Sequence, residues 1–432
     1  MDMSTLWKKF AVRTGLAALD PKVKSRIGGD YFYLRAYSND VLAAPIEDLE
    51  LLEQLERAVH TARSNTVHTP EKNALIDLSQ GMPDLSGFFP LERILSDAAQ
   101  RPNLLTALQK YPPGFGNPRA LAAVAKKITA DTGVTYDPLS EILLCNGASQ
   151  GIAHALECFV DPGMPIVLFD PCYLFYQWLA QTRGLRIRRV NTIHQRLDPR
   201  QMERAMSGAK AIIINSPANP DGSRIHLDDL KLIAALAARH NCIILSDEVY
   251  SGFSWAEKFT SVASLPSARG RTVVISSLSK SHGLPGLRMG WCAGPAPLIR
   301  PLAMLMSIRV PCVNATAQET LPDLIDAEFD FSQRRHTEFL KRRDGAMAAA
   351  LDAGFNVETP DGAFYLWNQI PDPFLSGHDF ARWCLKECQV AIMPGEPFGP
   401  SGRSMVRMSW GGPSELFSKA MQRIKETLPS AR

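Results

Sequence analysis

The sequence predicts an α/β fold in which helices cover both faces of a mostly parallel sheet, with a smaller α+β domain attached. Short apolar runs alternate with longer amphipathic segments such as 227–240. This alternation is typical of buried parallel strands joined by crossover helices. The predicted strands span residues 141–145, 165–169, 211–215, 242–246 and 273–276. Polar residues follow each strand, and ligands of such sheets bind beyond the carboxyl ends of the strands.

The order of these patterns divides the chain into three predicted segments. Residues 1–75 form an amino-terminal arm and a helix over 47–62, as part of the small domain or as a lid, with 31–34 as the arm or lid itself. Residues 76–325 form the large ligand-binding domain. Residues 326–432 form the small domain, with a long charged helix over 326–353 and strands over 363–367 and 404–410.

Composition is that of a soluble globular protein. Of the 432 residues, 45% are apolar and 21% are charged, and the formal net charge is +3. Basic clusters such as Arg334-Arg335 are interpreted as a solvated helix face, so neither nucleic acid nor a membrane is an expected partner. The eight cysteines show no Cys-x-x-Cys spacing, so we expect no metal site, no disulfide framework and a cytoplasmic location.

The most informative segment is 276–290, Ser-Ser-Leu-Ser-Lys-Ser-His-Gly-Leu-Pro-Gly-Leu-Arg-Met-Gly. It places Lys280 among serine hydroxyls, with Arg288 eight positions later. A lysine amine forms a Schiff base with an aldehyde, while a guanidinium and hydroxyl groups bind a dianionic phosphate. The segment therefore predicts a site for a phosphorylated aldehyde cofactor.

Further motifs occur in a fixed order along the chain. They are Tyr111 with Gly114 and Gly116, Asn219-Pro220, the pentapeptide Ser-Asp-Glu-Val-Tyr at 246–250, the segment 276–290, and Arg407. With these motifs the chain resembles fold-type I pyridoxal-phosphate enzymes of the class I/II aminotransferase group, from about residue 78 to 410. The resemblance implies pyridoxal 5′-phosphate as cofactor, an amino acid as substrate and a homodimer whose subunits share active sites.

The resemblance also implies how the cofactor is held. Lys280 is expected to bond to it covalently and act as general base, and Asp247 to keep the ring nitrogen protonated. Tyr250 and Asn219 are expected to bind the ring 3′ oxygen, and Tyr173 to stack on the ring. The expected phosphate ligands are Ala148, Ser149, Ser277, Ser279, Arg288 and, across the subunit boundary, Tyr111.

Three residues are expected to contact the substrate. Arg407 resembles the arginine that grips both oxygens of the substrate carboxylate and so orients the bond to be broken at Cα. Gly81 resembles the glycine that lets the substrate approach the backbone, and Asn219 borders the same space. Arg309, in a segment where a partner loop commonly enters the site, is expected to lie on the surface or, alternatively, to bind an acidic side chain or a phosphate.

Three functions fit these motifs. Transfer of an amino group to a 2-oxo acid is the principal expectation. The runs Leu-Ser-Lys-x-x-Gly-Leu-Pro-Gly-Leu-Arg and Tyr-Ser-Gly are also similar to 1-aminocyclopropane-1-carboxylate synthases. A lyase, or a γ-elimination or replacement enzyme, that uses S-adenosylmethionine or a related amino acid is therefore the first alternative. A non-catalytic pyridoxal-phosphate-binding sensor is the second.

Overall fold

The computed structural model describes residues 46–65, 74–192 and 196–429. All of these belong to one compact unit. The predicted helix over 47–62 is present as Ile46–Asn65, whereas the predicted arm or lid at 31–34 lies outside the described residues. None of the described helices is both long and apolar enough to cross a lipid bilayer.

Strands and helices alternate along the chain, as the sequence predicts. The strands are β1 (Ile76–Asp77), β2 (Ile142–Cys145), β3 (Pro165–Asp170), β4 (Arg186–Asn191), β5 (Ala211–Asn215), β6 (Ile243–Asp247), β7 (Thr272–Ser277), β8 (Gly290–Ala293), β9 (Tyr365–Gln369), β10 (Val390–Ala391), β11 (Met393–Pro394) and β12 (Met405–Ser409). The α-helices are α1 (Ile46–Asn65), α2 (Leu91–Ala99), α3 (Pro102–Leu108), α4 (Pro118–Thr132), α5 (Ala148–Phe159), α6 (Leu174–Thr182), α7 (Pro199–Met206), α8 (Leu227–Arg239), α9 (Pro266–Arg269), α10 (Leu278–Ser281), α11 (Ala296–Arg309), α12 (Ala315–Asp352), α13 (Gly377–Trp383) and α14 (Ser414–Thr427).

A seven-stranded sheet forms the core of this unit, with the strand order β2-β8-β7-β6-β5-β3-β4. Strand β8 runs antiparallel to both of its neighbours, and the other adjacent pairs are parallel. Five of the predicted strands belong to this sheet, as β2, β3, β5, β6 and β7, and their ends lie within one residue of the predicted ones. The strands predicted over 363–367 and 404–410 are present as β9 and β12, with ends within two residues. The predicted α/β fold with a mostly parallel sheet is confirmed.

The two faces of the sheet pack against different helices. Along β3, Ile166 and Leu168 belong to a core that includes α4, α5 and α11. The alternate residues Val167 and Phe169 belong to a second core that includes α7 and α8. Successive strand residues point to opposite faces, so burial on both sides produces an unbroken apolar run.

Within the seven-stranded sheet, β4 and β8 were not predicted. Strand β4 lies at the sheet edge, where the arginines of Arg-Ile-Arg-Arg-Val-Asn interrupt the apolar pattern. Strand β8 begins at Gly290, where a Cβ atom would lie 2.8 Å from the carbonyl carbon of Gly147 and from the oxygen of Ser276. A glycine is needed there because three backbone segments meet.

Helix α12 begins earlier than the predicted 326–353. Its first turn is capped by Asn314, whose Oδ1 accepts a hydrogen bond from the Ala317 amide at 3.0 Å, and it continues through Pro322. Its first part packs in the core of the large sheet, and its second part packs in a core with α1, α13, α14 and the strands β9 and β12 of the antiparallel sheet β11-β12-β9. The predicted domain boundary at 325/326 therefore falls inside one continuous helix. The division into three segments stays a prediction.

Candidate active site

Polar segments at the carboxyl ends of β2, β3, β5, β6 and β7 meet at one edge of the sheet. There they surround a cavity of about 410 Å³, which β9, β12 and the segment after β1 close from the other side. Twelve of the thirteen predicted site residues line this cavity: Gly81, Ala148, Ser149, Tyr173, Asn219, Asp247, Tyr250, Ser277, Ser279, Lys280, Arg288 and Arg407.

Lys280 projects into the cavity from the short helix α10, directly after β7. Its Nζ donates a hydrogen bond to the carbonyl oxygen of Gly81 at 2.5 Å. Burial lowers the pKa of Lys280 to about 8, with a further decrease from the positive charge of Arg407. A substantial fraction of the amine is therefore neutral near pH 8, and the neutral amine is the form that attacks a carbonyl or accepts a proton.

Asp247 is the last residue of β6 and lies across the cavity floor. Its Oδ2 accepts a hydrogen bond from the Tyr176 hydroxyl at 2.5 Å, and its Oδ1 accepts one from the Val249 amide at 3.3 Å. Burial raises the pKa of Asp247 to about 6, although these two hydrogen bonds and the charge of Lys280 act in the opposite direction. The carboxylate thus lacks a full cationic partner within the described residues and is suited to a protonated ring nitrogen.

Arg407 and two tyrosines form the wall that faces Lys280. Arg407 is 3% exposed and donates to Asn219 Oδ1 at 2.8 Å and to the Ser79 carbonyl at 2.5 Å. Its guanidinium lies 4.5 Å from the ring centroid of Tyr365, whose hydroxyl is 2.6 Å from that of Tyr250. Among the described residues nothing accepts a hydrogen bond from Arg407 Nε. Hydrogen bonds from the described residues therefore do not satisfy the whole Arg407 guanidinium.

The side chain of Tyr365 requires a glycine at position 81. A Cβ atom at this position would lie 2.0 Å from the Tyr365 hydroxyl oxygen. Only glycine therefore allows its backbone to pass beside the tyrosine and present its carbonyl to Lys280. This close contact agrees with the sequence-based expectation that the backbone here is approached closely.

The opposite end of the cavity presents groups suited to a phosphate. Helix α5 begins after Gly147, which has φ +88°, and its first residues Ala148 and Ser149 face the cavity. A Cβ atom at Gly147 would lie 2.5 Å from Arg288 Nη2, and that nitrogen donates to the Asn146 carbonyl at 2.9 Å. A helix amino terminus, a guanidinium and the hydroxyls of Ser277 and Ser279 form an anion site. The cavity therefore fits an elongated group with phosphate at one end and a basic ring nitrogen at the other.

Two predicted contacts lie outside the cavity. Tyr111 is 82% exposed and borders a separate hollow with Pro112, Asn117 and Glu319. Arg309, at the end of α11, is paired with Glu157 instead of facing the cavity. The surface alternative for Arg309 thus agrees with its position in this chain.

Three contacts of the site were not predicted. The Tyr176 hydroxyl binds Asp247, Tyr365 binds Tyr250, and Asn215 Nδ2 donates to the Asp247 carbonyl at 3.0 Å. Asn215 ends a predicted strand, so its position at the sheet edge was a usable signal. Tyr176 and Tyr365 are distant in sequence from their partners, and tertiary packing brings them together.

Comparison with known proteins identifies the family. The sequence profile of aminotransferase class I and II matches residues 73–424. The chain belongs to this family and is a pyridoxal-phosphate-dependent aminotransferase of fold type I. The predicted cofactor and enzyme class are thereby confirmed.

Individual relatives agree with this assignment. An aspartate aminotransferase of Pyrococcus abyssi is 29% identical over 85% of this chain and 97% of its own length. An aromatic-amino-acid aminotransferase of Thermococcus litoralis is 28% identical over the same shares, 85% and 97%. The crystal structure of an aromatic aminotransferase from Pyrococcus horikoshii superposes with a TM-score of 0.76 and 26% identity, covering 87% of this chain and 98% of that one. All three are aminotransferases, which favours amino-group transfer over the lyase and sensor alternatives.

Replacement of Asp247 by asparagine is expected to stabilise the cofactor-free protein at pH 8 but not at pH 4. The pKa of Asp247 is about 6 in the folded chain, against an ordinary value of 3.8, so the folded state binds more protons and loses stability as pH rises through this range. A difference of this size corresponds to at most about 3 kcal/mol. Urea unfolding of the apoprotein at both pH values measures it. The control is Asp161→Asn, at an exposed position. Equal stability of wild type and Asp247→Asn at pH 8 would contradict the raised pKa of Asp247.

Proposed function

We propose that this cavity is the active site and that it transfers the amino group of an α-amino acid to a 2-oxo acid. The observation that carries the proposal is the convergence of Lys280, Asp247 and Arg407 on one cavity beside an anion site. When bound, pyridoxal phosphate supplies an electron-accepting ring that makes the Cα proton of an attached amino acid removable. The residues of the chain bind, orient and exchange protons around it.

We propose that Lys280 would hold the cofactor covalently and that its amine would move the substrate proton. Its nitrogen is buried, and its pKa of about 8 lets the amine accept a proton from Cα and return it within the neutral pH range. Asp247 is assigned to hold the ring nitrogen protonated, with Tyr176 fixing the direction of its carboxylate. Tyr250 and Asn219 are assigned to the ring 3′ oxygen, and Tyr173 to the ring face.

Arg407 is assigned to the substrate α-carboxylate. Its guanidinium is held by Asn219, the Ser79 carbonyl and the ring of Tyr365, so that it is oriented before the substrate arrives. A planar guanidinium binds both oxygens of a carboxylate, which restricts rotation of the substrate about its Cα. The Cα–H bond can then be directed towards Lys280.

Amino donors should convert the visible spectrum of the holoprotein and yield 2-oxo acids. The panel should include aspartate and aromatic amino acids, on which relatives act by name, together with S-adenosylmethionine. Lys280→Ala is expected to abolish both the visible cofactor band and product formation, whereas the exposed Lys258→Ala retains both. Product identification by mass spectrometry is the measurement. Release of methylthioadenosine instead of a 2-oxo acid would support the lyase alternative, and a spectrum unchanged by every compound would support the sensor.

Arg407→Lys is expected to lower kcat/KM for the amino donor about 100-fold. An ammonium group cannot replace two parallel N–H donors, and a hydrogen bond to a charged group contributes about 1.5–3 kcal/mol. Steady-state kinetics of the purified holoenzyme measures the change. Arg403→Lys, an exposed position in the loop before β12, is the matched control. A similar loss in both variants would argue against direct contact with the substrate.

We propose that the enzyme is a cytoplasmic homodimer in which Tyr111 reaches the phosphate of the partner's cofactor. Large apolar side chains near Tyr111 are exposed on α3 and α11: Leu105 70%, Leu108 55%, Met304 70% and Ile308 79%. Gly114, three residues after Tyr111, lies beside α11, since a Cβ atom at Gly114 would lie 3.1 Å from Ser307 Oγ. An exposed apolar surface of this kind is typical of an interface.

Shared active sites are tested by mixing two inactive variants. Tyr111→Ala and Lys280→Ala subunits, unfolded and refolded together, are expected to regain activity, because each hybrid dimer carries one site with both native side chains. Light scattering gives the mass, and the separately refolded variants are the controls. No activity in a mixture shown to contain hybrids would remove Tyr111 from the neighbouring site.

A further inference from the structure

A buried guanidinium lies directly behind the helix that carries Lys280. It belongs to Arg335, in the middle of α12, which is 3% exposed although the sequence suggested a solvated helix face. Arg335 Nη1 donates to the Ser281 carbonyl at 2.6 Å, and Nη2 donates to the Gly252 carbonyl at 3.3 Å. Ser281 follows Lys280 directly, and Gly252 lies two residues after Tyr250. One side chain therefore joins the backbones of the two segments that carry these groups.

The charge of Arg335 is compensated on its own helix. Glu328 Oε1 accepts a hydrogen bond from Arg335 Nη1 at 2.9 Å, and Glu328 Oε2 accepts one from Lys127 Nζ at 2.6 Å. Burial acts to raise the pKa of Glu328, but the charges of Lys127 and its other cationic neighbours hold it well below its usual range. A buried ion pair of this kind has a geometry fixed by its hydrogen bonds.

The space around Arg335 is shaped for a flat group. Its guanidinium carbon lies 5.1 Å from the ring centroid of Phe253 and 5.4 Å from that of Phe331. A Cβ atom at Gly252 would lie 2.5 Å from Arg335 Nη2. The glycine therefore leaves the room that the guanidinium needs to reach the carbonyl.

A second contact ties the same helix to α12. His282 Nε2 lies 2.9 Å from the Leu324 carbonyl, and Nδ1 lies 2.8 Å from Ser281 Oγ. A carbonyl can only accept, so the hydrogen lies on Nε2 and the Ser281 hydroxyl donates to Nδ1. Burial lowers the pKa of His282 to about 4, so the ring stays neutral. Helix α10 thus rests on α12 through both a neutral and a charged contact.

We propose that Arg335 is a positioning residue that fixes the direction of Lys280 relative to Tyr250. The inference rests on the proposed functions of those two residues. Lys280 stands on a helix of only four residues, Leu278–Ser281, so contacts from outside that helix determine its orientation. A misplacement of about 1 Å in an active site can reduce the rate about 100-fold. Arg335 acts on the reaction through Lys280, and substrate binding at Arg407 does not depend on it.

Three variants separate positioning from general stability. Arg335→Met removes the carbonyl contacts while Glu328 keeps its partner Lys127. Arg335→Lys keeps the charge without the planar fork. Gly252→Ala keeps every charged group and displaces the guanidinium through the added methyl, so it decides the question if Arg335→Met does not fold. Arg334→Met, on the exposed neighbouring residue of α12, is the matched control.

The expected result is a fall in kcat of about 100-fold per bound cofactor in Arg335→Met, with KM nearly unchanged. Gly252→Ala should lose rate in the same way, and Arg335→Lys should recover part of it. The pH at which the visible cofactor band titrates should move in both impaired variants, because the environment of the Lys280 nitrogen changes. The control should match wild type.

A purely structural contribution gives a different pattern. It would lower cofactor content or thermal stability in Arg335→Met and Gly252→Ala. It would leave kcat per bound cofactor and the pH of the band transition unchanged in both variants, and that result would overturn the inference. Failure of the proposed function is distinguished by Lys280→Ala. If that variant retains the visible band, the assignment of the lysine itself is wrong, whatever the Arg335 variants do.

Discussion

Burial of charge at the sheet edge is the constraint on which the site depends. The side chains of Asp247, Lys280 and Arg407 meet in a cavity of about 410 Å³, and a buried charge there is unfavourable unless it is hydrogen-bonded or paired. The chain supplies a hydrogen-bond partner to each from a distant segment: Tyr176 to Asp247, the Gly81 carbonyl to Lys280, and Asn219 to Arg407. The compensation is incomplete for Asp247 and Lys280, whose pKa values move towards the neutral forms. Such perturbation is common at functional sites.

The sequence predicted the elements whose burial is uniform. Strand β5, Ala-Ile-Ile-Ile-Asn, is buried along its whole length and is read correctly from composition alone. Strand β4 carries three arginines at the edge of the sheet. Strand β8 begins at Gly290, which lies against the backbone of Gly147. The start of α12 was missed because its first turns contain Pro322 and pack in the same core as the large sheet. These features depend on tertiary contacts that a local pattern does not contain.

The lining residues that follow β2, β3, β5, β6 and β7 were predictable because parallel strands bring their carboxyl ends together. Lys280 and Asp247 each lie within three residues of a strand end, so a correct strand assignment placed them at the same edge. The position of Tyr365 in the site could not be predicted from a strand end. Tyr365 lies on a predicted strand, but its contact with Tyr250 depends on how the smaller sheet packs against the end of the larger one. Arg335 was misread because charge pattern alone does not distinguish a solvated arginine from a buried one.

Helix α1 lines part of the cavity with residues that are not assigned to the cofactor or to proton transfer. Leu52, Leu55 and Glu56 border the cavity from a segment that precedes every residue assigned to the cofactor. Changes on that inner surface alter the volume and polarity offered to an incoming side chain while the sheet edge stays intact. The choice of substrate side chain can therefore be altered at α1 without altering the residues assigned to proton transfer.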